Sequence, residues 1–348
     1  MDYLDNASTT AVDQRVLQVM SEYHTIHFGN PTASNEHAKM PLEAVNRAKG
    51  QVAKLINAKP DNIIFNSGST EGINHVIKSL FFSSIGEGKN HLIISSVEHK
   101  AVIETANYLE KIGCKVTKIA VDKNCIVDLK QLETAITEQT FLVCVMLVNN
   151  ETGVIQPLEN VVSISKKHNV PVFTDATQAV GKIEIDVDTL EVDYLCLSAH
   201  KLKGPKGVGA LYLRSKQGLE PLLHGGNQAK ELRGGTQNVP GIVGLGKACE
   251  IGQSEMLQNK EVTISKKDQI LKEIIGDQGI ENFGSVPKVE NIISISLKNE
   301  SNDDFLNRNH NRFSASTGSA CNAELIEDSH VLQSIPDIDP KKVIRISI

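Results

Sequence analysis

The sequence has 348 residues, of which 40% are hydrophobic and 22% are charged, a composition typical of a globular protein large enough for two domains. The net charge is −6 and tryptophan is absent, which argues against broad, direct contact with nucleic acid. No apolar run reaches the about 18 residues of a membrane helix. The N-terminus also lacks the basic-then-apolar pattern of a signal peptide, so we expect a cytoplasmic location.

Continuous apolar runs alternate with helical patterns in the first two thirds of the chain. Strands are predicted at 62–65, 91–94, 141–148, 170–174, 194–197 and 208–213, and helices at 71–82 and about 100–112. This alternation predicts an α/β fold with a mainly parallel sheet buried on both faces. Ligands bind such sheets at the carboxyl ends of the strands. Polar residues collect there: Ser67, His99, Asn150, Asp175, Gln178, Ser198 and His200.

A change in pattern predicts the domain organisation. A helical pattern runs from about residue 239 towards 260, and the strand–helix rhythm weakens after it. We therefore predict a large α/β domain over residues 14–248. A smaller α+β domain would contain residues 1–13 and 249–348.

Three motifs follow predicted strands. The run SGSTE at 67–71 combines a glycine turn, hydroxyls and a helix start, which suits a phosphate. The run DATQ at 175–178 offers a carboxylate to a protonated ring nitrogen. Lys201 precedes a Gly-rich turn, where an amine can form a Schiff base. Taken singly, the first motif is more often an ordinary helix N-cap, the second is also consistent with an N-cap, and a lone lysine more often marks a basic surface turn.

The combination of these motifs is more specific than any one of them. Pyridoxal phosphate needs a phosphate cradle, a Schiff-base lysine and an acidic partner for its ring nitrogen. A histidine that could stack on the ring is present as His99 in the run EHK at 98–100. We therefore expect a pyridoxal-phosphate site.

Six cysteines are present, and none has the C-x-x-C or zinc-site spacing, so no metal site is predicted. Cys144 and Cys196 lie in apolar runs and are expected in the core. Cys321 differs because it lies among small and polar residues, in the run STGSACN at 316–322. A thiol there can be reached from solvent, although an incidental thiol is the alternative.

Nearly the whole chain resembles the cysteine desulfurases of the IscS/NifS type, within the class V aminotransferase group of fold-type I pyridoxal-phosphate enzymes. The similar segments, in family order, are YLDNASTT at 3–10, FGNP at 28–31, SGSTE at 67–71, EHK at 98–100, VNNETG at 148–153, DATQ at 175–178, residues 198–209, RGGT at 233–236 and STGSAC at 316–321.

The resemblance implies a role for each matching residue. Lys201 would bind the cofactor as a Schiff base, Asp175 would pair with the ring nitrogen, His99 would stack on the ring and assist proton transfer, and Gln178 would contact the ring hydroxyl. Ser69, Thr70, Ser198 and His200 would hold the phosphate, and Thr236 would reach the phosphate of the neighbouring subunit in a homodimer. Asn150, beside the cofactor, and Arg345 would hold the substrate carboxylate.

The resemblance also implies a reaction. L-cysteine would become L-alanine, while its sulfur passes to Cys321 as a persulfide and then to an acceptor protein. Substitutions relative to housekeeping members, and an end three residues after Arg345, favour a specialised pathway such as DNA phosphorothioation, in which a partner would contact the DNA. Transfer RNA thiolation and Fe–S cluster assembly are alternative pathways.

Two competing interpretations remain open from the sequence. The first is another class V enzyme, either an aminotransferase or a selenocysteine lyase, and the position of Cys321 argues against the aminotransferase. The second is an inactive scaffold for sulfur-transfer proteins. The presence of Lys201, Asp175 and His99 argues against that scaffold.

Overall fold

The computed structural model describes residues 1–216, 218–226, 228–317 and 328–348. Its strands are β1 (Asp2–Tyr3), β2 (Ile63–Asn66), β3 (His91–Ser95), β4 (Lys115–Ile119), β5 (Thr140–Cys144), β6 (Val172–Asp175), β7 (Tyr194–Ser198), β8 (Gly209–Leu213), β9 (Gly279–Glu281), β10 (Ile292–Leu297), β11 (Phe313–Ser314) and β12 (Val343–Ser347). Its α-helices are α1 (Gln14–Thr25), α2 (Lys39–Leu55), α3 (Ser69–Ser84), α4 (Lys100–Glu110), α5 (Leu129–Ala135), α6 (Leu158–Lys167), α7 (Val187–Leu190), α8 (Val239–Ser254), α9 (Met256–Ile270), α10 (Asn302–Asn309) and α11 (His330–Gln333).

Seven strands form the central sheet, in the order β2-β8-β7-β6-β5-β3-β4. Strands β3 to β7 pair in parallel, whereas β8 runs antiparallel to both β7 and β2. The α/β fold expected from the alternating pattern is therefore confirmed, with one antiparallel strand inserted near its edge.

The side chains of alternate strand residues pack in two hydrophobic cores on opposite faces of this sheet. Val143 and Leu195 pack in the core that contains residues of α2, α6 and α8. Leu142 and Cys196 pack in the core that contains residues of α3 and α4. Because both faces are covered, the strands carry continuous apolar runs rather than an alternating pattern.

The predicted strand at 141–148 is shorter in the structure, where β5 ends at Cys144. Val145 and Leu147 still donate backbone hydrogen bonds to the carbonyls of Phe173 and Asp175 in β6. Met146 instead donates its N–H to Glu98 Oε1, at 2.8 Å. A buried carboxyl thus replaces the strand partner on that side, which ends the regular ladder.

A second group of strands lies in the last third of the chain. Strands β12, β10 and β9 form an antiparallel sheet, and β1 pairs in parallel with β11. Leu4 packs there with Ile293, Phe305 and Ile344, so the N-terminal segment joins this part of the molecule. The domain boundary at 248 and 249 stays a prediction. Within the described ranges, no helix combines the length and apolar character needed to cross a bilayer.

Candidate active site

A cavity of about 560 Å³ opens at the carboxyl ends of the central strands. The loops that follow β2, β3, β6 and β7 line it, together with residues 7–9 of the N-terminal segment. Ten of the residues predicted from the sequence lie on its wall: Lys201, Asp175, Gln178, Ser69, Thr70, Ser198, His200, Asn150, Arg345 and His99.

Two further predicted residues are not among these ten. Thr236 is exposed and is not part of the cavity wall of this chain, so its predicted contact with a neighbouring subunit stays a prediction. Cys321 lies outside the described residues.

The side of the cavity that is predicted to hold a phosphate is built at the start of α3. Gly68 precedes the helix with φ at +146°, a conformation that side chains disfavour. The first backbone bond of the helix runs from Gly72 N to Gly68 O, so the N–H groups before it have no intrahelical acceptor. Ser69 Oγ lies 2.5 Å from Thr177 Oγ1. This helix start therefore offers donors and hydroxyls to an anion.

The acidic residue in the first turn of α3 is paired with an arginine. Arg233 Nε donates to Glu71 Oε1 at 3.0 Å, and Ser67 N donates to Glu71 Oε2 at 2.8 Å. Burial acts to raise the pKa of Glu71, but these hydrogen bonds outweigh it and hold the pKa below its usual value. The carboxylate is thus charged and neutralised by Arg233, which makes the helix start compatible with a phosphate.

Lys201 ends the 3-10 turn Ala199–Lys201 that follows β7. Its Nζ donates to the backbone carbonyls of Ala7 and Ser8, the latter at 2.5 Å. The preceding residue, His200, has its pKa lowered to about 4 by burial and by the nearby positive charges of Lys201 and other lysines. His200 is therefore neutral at pH 7.

Asp175 is the last residue of β6, and Gln178 lies three residues after it. Asp175 is only 5% exposed, and its Oδ1 accepts from Thr177 N at 2.9 Å. Gln178 Nε2 donates to Ala7 O at 2.9 Å. The N-terminal segment therefore contacts both the lysine and the glutamine of the site.

His99 forms the N-cap of α4, and its Nδ1 accepts from Ala101 N at 3.1 Å. Burial lowers the pKa of His99, and Lys201 acts in the same direction, while Asp175 opposes them. A neutral imidazole whose Nδ1 accepts a hydrogen bond carries its proton on Nε2. His99 thus presents a neutral ring to the cavity.

Arg345 lies on β12 and is 2% exposed. Its Nη2 donates to Asp5 Oδ1 at 2.7 Å and to Ser8 Oγ at 3.0 Å, and its Nη1 donates to Asn150 O at 3.0 Å. The sequence did not predict the pairing with Asp5. This pair orients the guanidinium, so part of its hydrogen-bonding capacity is used before any substrate is bound.

Glu151 and His330 are titratable residues on the cavity wall to which sequence reasoning gave no role. Glu151 is 3% exposed, and burial raises its pKa, while a hydrogen bond from Ser329 opposes the shift. His330 Nε2 donates to Glu98 O at 2.9 Å. Glu151 lies within the quoted run VNNETG, which was a signal available in the sequence. His330 had no such signal.

The cavity fits pyridoxal phosphate on observations of this structure. It brings together a lysine amine, a buried carboxylate and a helix start with free donors, which are the groups that this cofactor requires. Two buried acceptors on its wall, Gln178 Oε1 and Asn150 Oδ1, have no hydrogen-bond partner among the described residues. Buried polar atoms are normally paired, so these atoms indicate groups that await a ligand.

Comparison with known proteins gives concordant similarities. Residues 2–348 match the Aminotransferase class-V family. The cysteine desulfurase IscS of Methanosarcina thermophila is 40% identical over 332 residues, covering 95% of this chain and 82% of that protein.

Two solved structures are also similar over the full chain. A NifS-like protein superposes with a TM-score of 0.91 at 35% identity, covering 100% of this chain and 93% of the other. The structure of SspA in complex with cysteine superposes with a TM-score of 0.90 at 36% identity, covering 100% of this chain and 99% of the other.

Proposed function

Since this chain belongs to the class-V aminotransferase family and is a pyridoxal-phosphate-dependent cysteine desulfurase, we propose that Lys201 carries the cofactor and that Cys321 receives the sulfur. The observation that carries this proposal is the convergence of the Lys201 amine, the Asp175 carboxylate and the start of α3 on one cavity. Arg345 lies on the wall of the same cavity.

Each residue of the wall has a proposed task. When bound, pyridoxal phosphate supplies an electron sink for the carbanion at the substrate α-carbon. Asp175 would hold a proton on the ring nitrogen, and the start of α3, with Ser198 and His200, would bind the phosphate. Lys201 Nζ would take the proton from the α-carbon of L-cysteine. Thr236 would reach the phosphate site of a neighbouring subunit in a homodimer.

The substrate carboxylate would bind between Asn150 and Arg345. The hydrogen bonds of Arg345 to Asp5 and Ser8 fix the guanidinium in one orientation, so little side-chain entropy is lost on binding. His99 would cover the ring as a neutral imidazole and pass a proton through Nε2.

The sulfur transfer balances without an external oxidant. L-cysteine and the Cys321 thiol become L-alanine and a Cys321 persulfide. An S–S bond forms as the thiolate of Cys321 attacks the substrate sulfur, and the substrate C–S bond breaks. The electron pair of that bond stays with carbon, which takes up a proton.

The persulfide would then pass to an acceptor protein. DNA phosphorothioation, transfer RNA thiolation and Fe–S cluster assembly are the pathways in which such an acceptor would act. A reducing, cytoplasmic location is part of this proposal, because Cys114, Cys125, Cys144, Cys196 and Cys249 are free thiols.

The direct test is to incubate the cofactor-loaded protein with L-cysteine and a reductant, and to measure alanine and sulfide. We expect equal amounts of both from the parent. Lys201→Ala should lose the absorbance band of the cofactor Schiff base and roughly a thousandfold or more of the rate. Cys321→Ala should keep the band and lose sulfide release.

Lys203→Ala serves as the matched control, because Lys203 is an exposed lysine only two residues further along the chain. It should retain both the band and the rate. Undiminished sulfide release by Cys321→Ala would show that the persulfide route is wrong.

A further inference from the structure

Two adjacent threonines of the N-terminal segment hold His200, the residue that precedes Lys201. The backbone N and the Oγ1 of Thr10 both donate to the carbonyl of His200, at 3.1 and 2.9 Å. Thr9 Oγ1 lies 3.1 Å from His200 Nδ1. The N-terminal segment therefore contacts both the backbone and the imidazole ring of a residue 190 positions further along the chain.

The position of these threonines is fixed by further contacts. Tyr3 Oη donates to Thr9 O at 3.0 Å, and Lys203 N donates to Thr10 Oγ1 at 3.0 Å. Thr9 and His200 both lie on the wall of the cavity. A hydroxyl that is held in this way restricts the rotation of the imidazole beside it.

His200 belongs to the turn that adjoins the start of α3. Ser198 ends β7 two residues before His200, and a Cβ added to Gly68 would lie 3.4 Å from Ser198 Oγ. The turn and the helix start thus form one side of the cavity, where the phosphate is proposed to bind. His200 can contribute to this binding only as a hydrogen-bond donor, because the oxygens of a phosphate dianion are acceptors.

The imidazole of His200 is neutral at pH 7, so only one of its nitrogens carries a proton. Burial and the positive charges of Lys201, Lys206 and Lys182 lower its pKa to about 4. In a neutral imidazole, the nitrogen that accepts a hydrogen bond leaves the proton on the other nitrogen. Donation from the Thr9 hydroxyl to Nδ1 therefore places the proton on Nε2, whereas a proton on Nδ1 would leave Nε2 with a lone pair and no donor.

We propose that Thr9 is a positioning residue for the cofactor phosphate: its hydroxyl donates to His200 Nδ1 and orients the ring so that Nε2–H donates to a phosphate oxygen. This inference rests on the function proposed above, in which His200 binds the phosphate. It gives a task to a threonine of the run YLDNASTT at 3–10 that has no part in the sulfur transfer itself.

The expected effect is limited to ligands that carry a phosphate. Pyridoxal has the ring and the aldehyde of the cofactor but no phosphate, so it can still react with Lys201 and finds no partner for His200. Loss of the Thr9 hydroxyl should therefore weaken the binding of pyridoxal phosphate and leave the binding of pyridoxal unchanged. A general disturbance of the site would weaken the binding of both.

The experiment measures the Kd of pyridoxal phosphate and of pyridoxal by absorbance titration of the cofactor-free protein. Thr9→Val should raise the Kd of pyridoxal phosphate by about three- to tenfold, and His200→Ala by roughly ten- to a hundredfold. Thr9→Ser keeps the hydroxyl, so its Kd should stay within about threefold of the parent. The Thr9→Val/His200→Ala double variant should bind like His200→Ala alone, because Thr9 acts through the ring.

Thr117→Val is the matched control. Thr117 Oγ1 lies 2.9 Å from His91 Nε2, which is the same kind of contact between a hydroxyl and an imidazole. Thr117 is on β4 and is not part of the cavity wall. Its replacement by valine should leave the Kd of both ligands unchanged.

A measurement on the parent tests the ring directly and needs no folded Thr9 variant. The nitrogen NMR shifts of the imidazoles should show Nδ1 of His200 unprotonated and Nε2 protonated at pH 7. The signals of His200 are identified by their absence from the spectrum of His200→Ala.

Four results would overturn the inference. They are a Kd of pyridoxal phosphate for Thr9→Val within about threefold of the parent, an equal loss of affinity for pyridoxal, a double variant whose loss is the product of the single losses, and a His200 ring protonated on Nδ1. Failure of the parent itself to bind pyridoxal phosphate would instead contradict the cofactor site proposed above.

Discussion

Arg233 Nε lies 3.0 Å from Glu71 Oε1, so a guanidinium neutralises the carboxylate in the first turn of α3, the helix whose start is predicted to bind the cofactor phosphate. Glu71 belongs to α3, whereas Arg233 comes from the RGGT run, 162 residues later in the chain. Without the arginine, a half-buried carboxylate would stand beside a phosphate bound at this helix start.

Arg233→Met should therefore weaken the binding of pyridoxal phosphate by at least about tenfold, because the unpaired carboxylate repels the phosphate. Adding Glu71→Gln to this variant should restore much of the affinity. Both are measured as the dissociation constant of the cofactor by absorbance titration. Arg15→Met is the control, since Arg15 pairs with Glu255 on the surface. Equal affinity of Arg233→Met and the parent would contradict this account.

Asp175→Asn should retain cofactor binding but lower the turnover of L-cysteine by about a hundredfold or more, because a neutral amide cannot hold the proton on the ring nitrogen by charge. Steady-state alanine formation measures this loss. Asp193→Asn is the matched control, since Asp193 Oδ2 accepts from Val172 N at 2.8 Å at the opposite end of β6. Parental turnover by Asp175→Asn would refute the role.

Glu98 should make the stability of the protein depend on pH. Burial raises the pKa of Glu98 to about 8, against opposing hydrogen bonds from Ser95 and Met146. As the pH rises above the ordinary value of 4.5, the unfolded state loses this proton first, so the folded state is progressively destabilised until about pH 8.

Relative to Glu98→Gln, the free energy of unfolding of the parent should thus fall by on the order of 4 kcal/mol across this range, and should level off above it. Urea unfolding at several pH values measures the difference. Glu110→Gln, an exposed change at the end of α4, should run parallel to the parent. A pH-independent difference for Glu98→Gln would show that Glu98 is ionised when folded.

Much of this site could be predicted because each residue has a local signal. Asp175 and Lys201 follow apolar strands, and parallel strands bring their carboxyl ends to one edge, so separate motifs converge without further information. Cys144 and Cys196 were expected in the core and are fully buried, because their neighbours are continuously apolar.

Other features depend on contacts that no local pattern encodes. The bonds of Arg345 to Asp5 and of Ser329 to Glu151 join residues 340 and 178 positions apart. The early end of β5 follows from one buried side chain, Glu98, which competes for the N–H of Met146. Such pairings are decided by the packing of the two parts of the chain, not by periodicity or propensity.

The central claim is that Cys321 receives the sulfur of L-cysteine. The most direct measurement is to incubate the cofactor-loaded protein with L-cysteine in the absence of reductant, block free thiols, and determine the mass of the peptide that contains Cys321. The account predicts one additional sulfur atom on Cys321, together with one equivalent of alanine, and no addition in Lys201→Ala. Alanine formation with the additional sulfur on another cysteine, or on none, would contradict it.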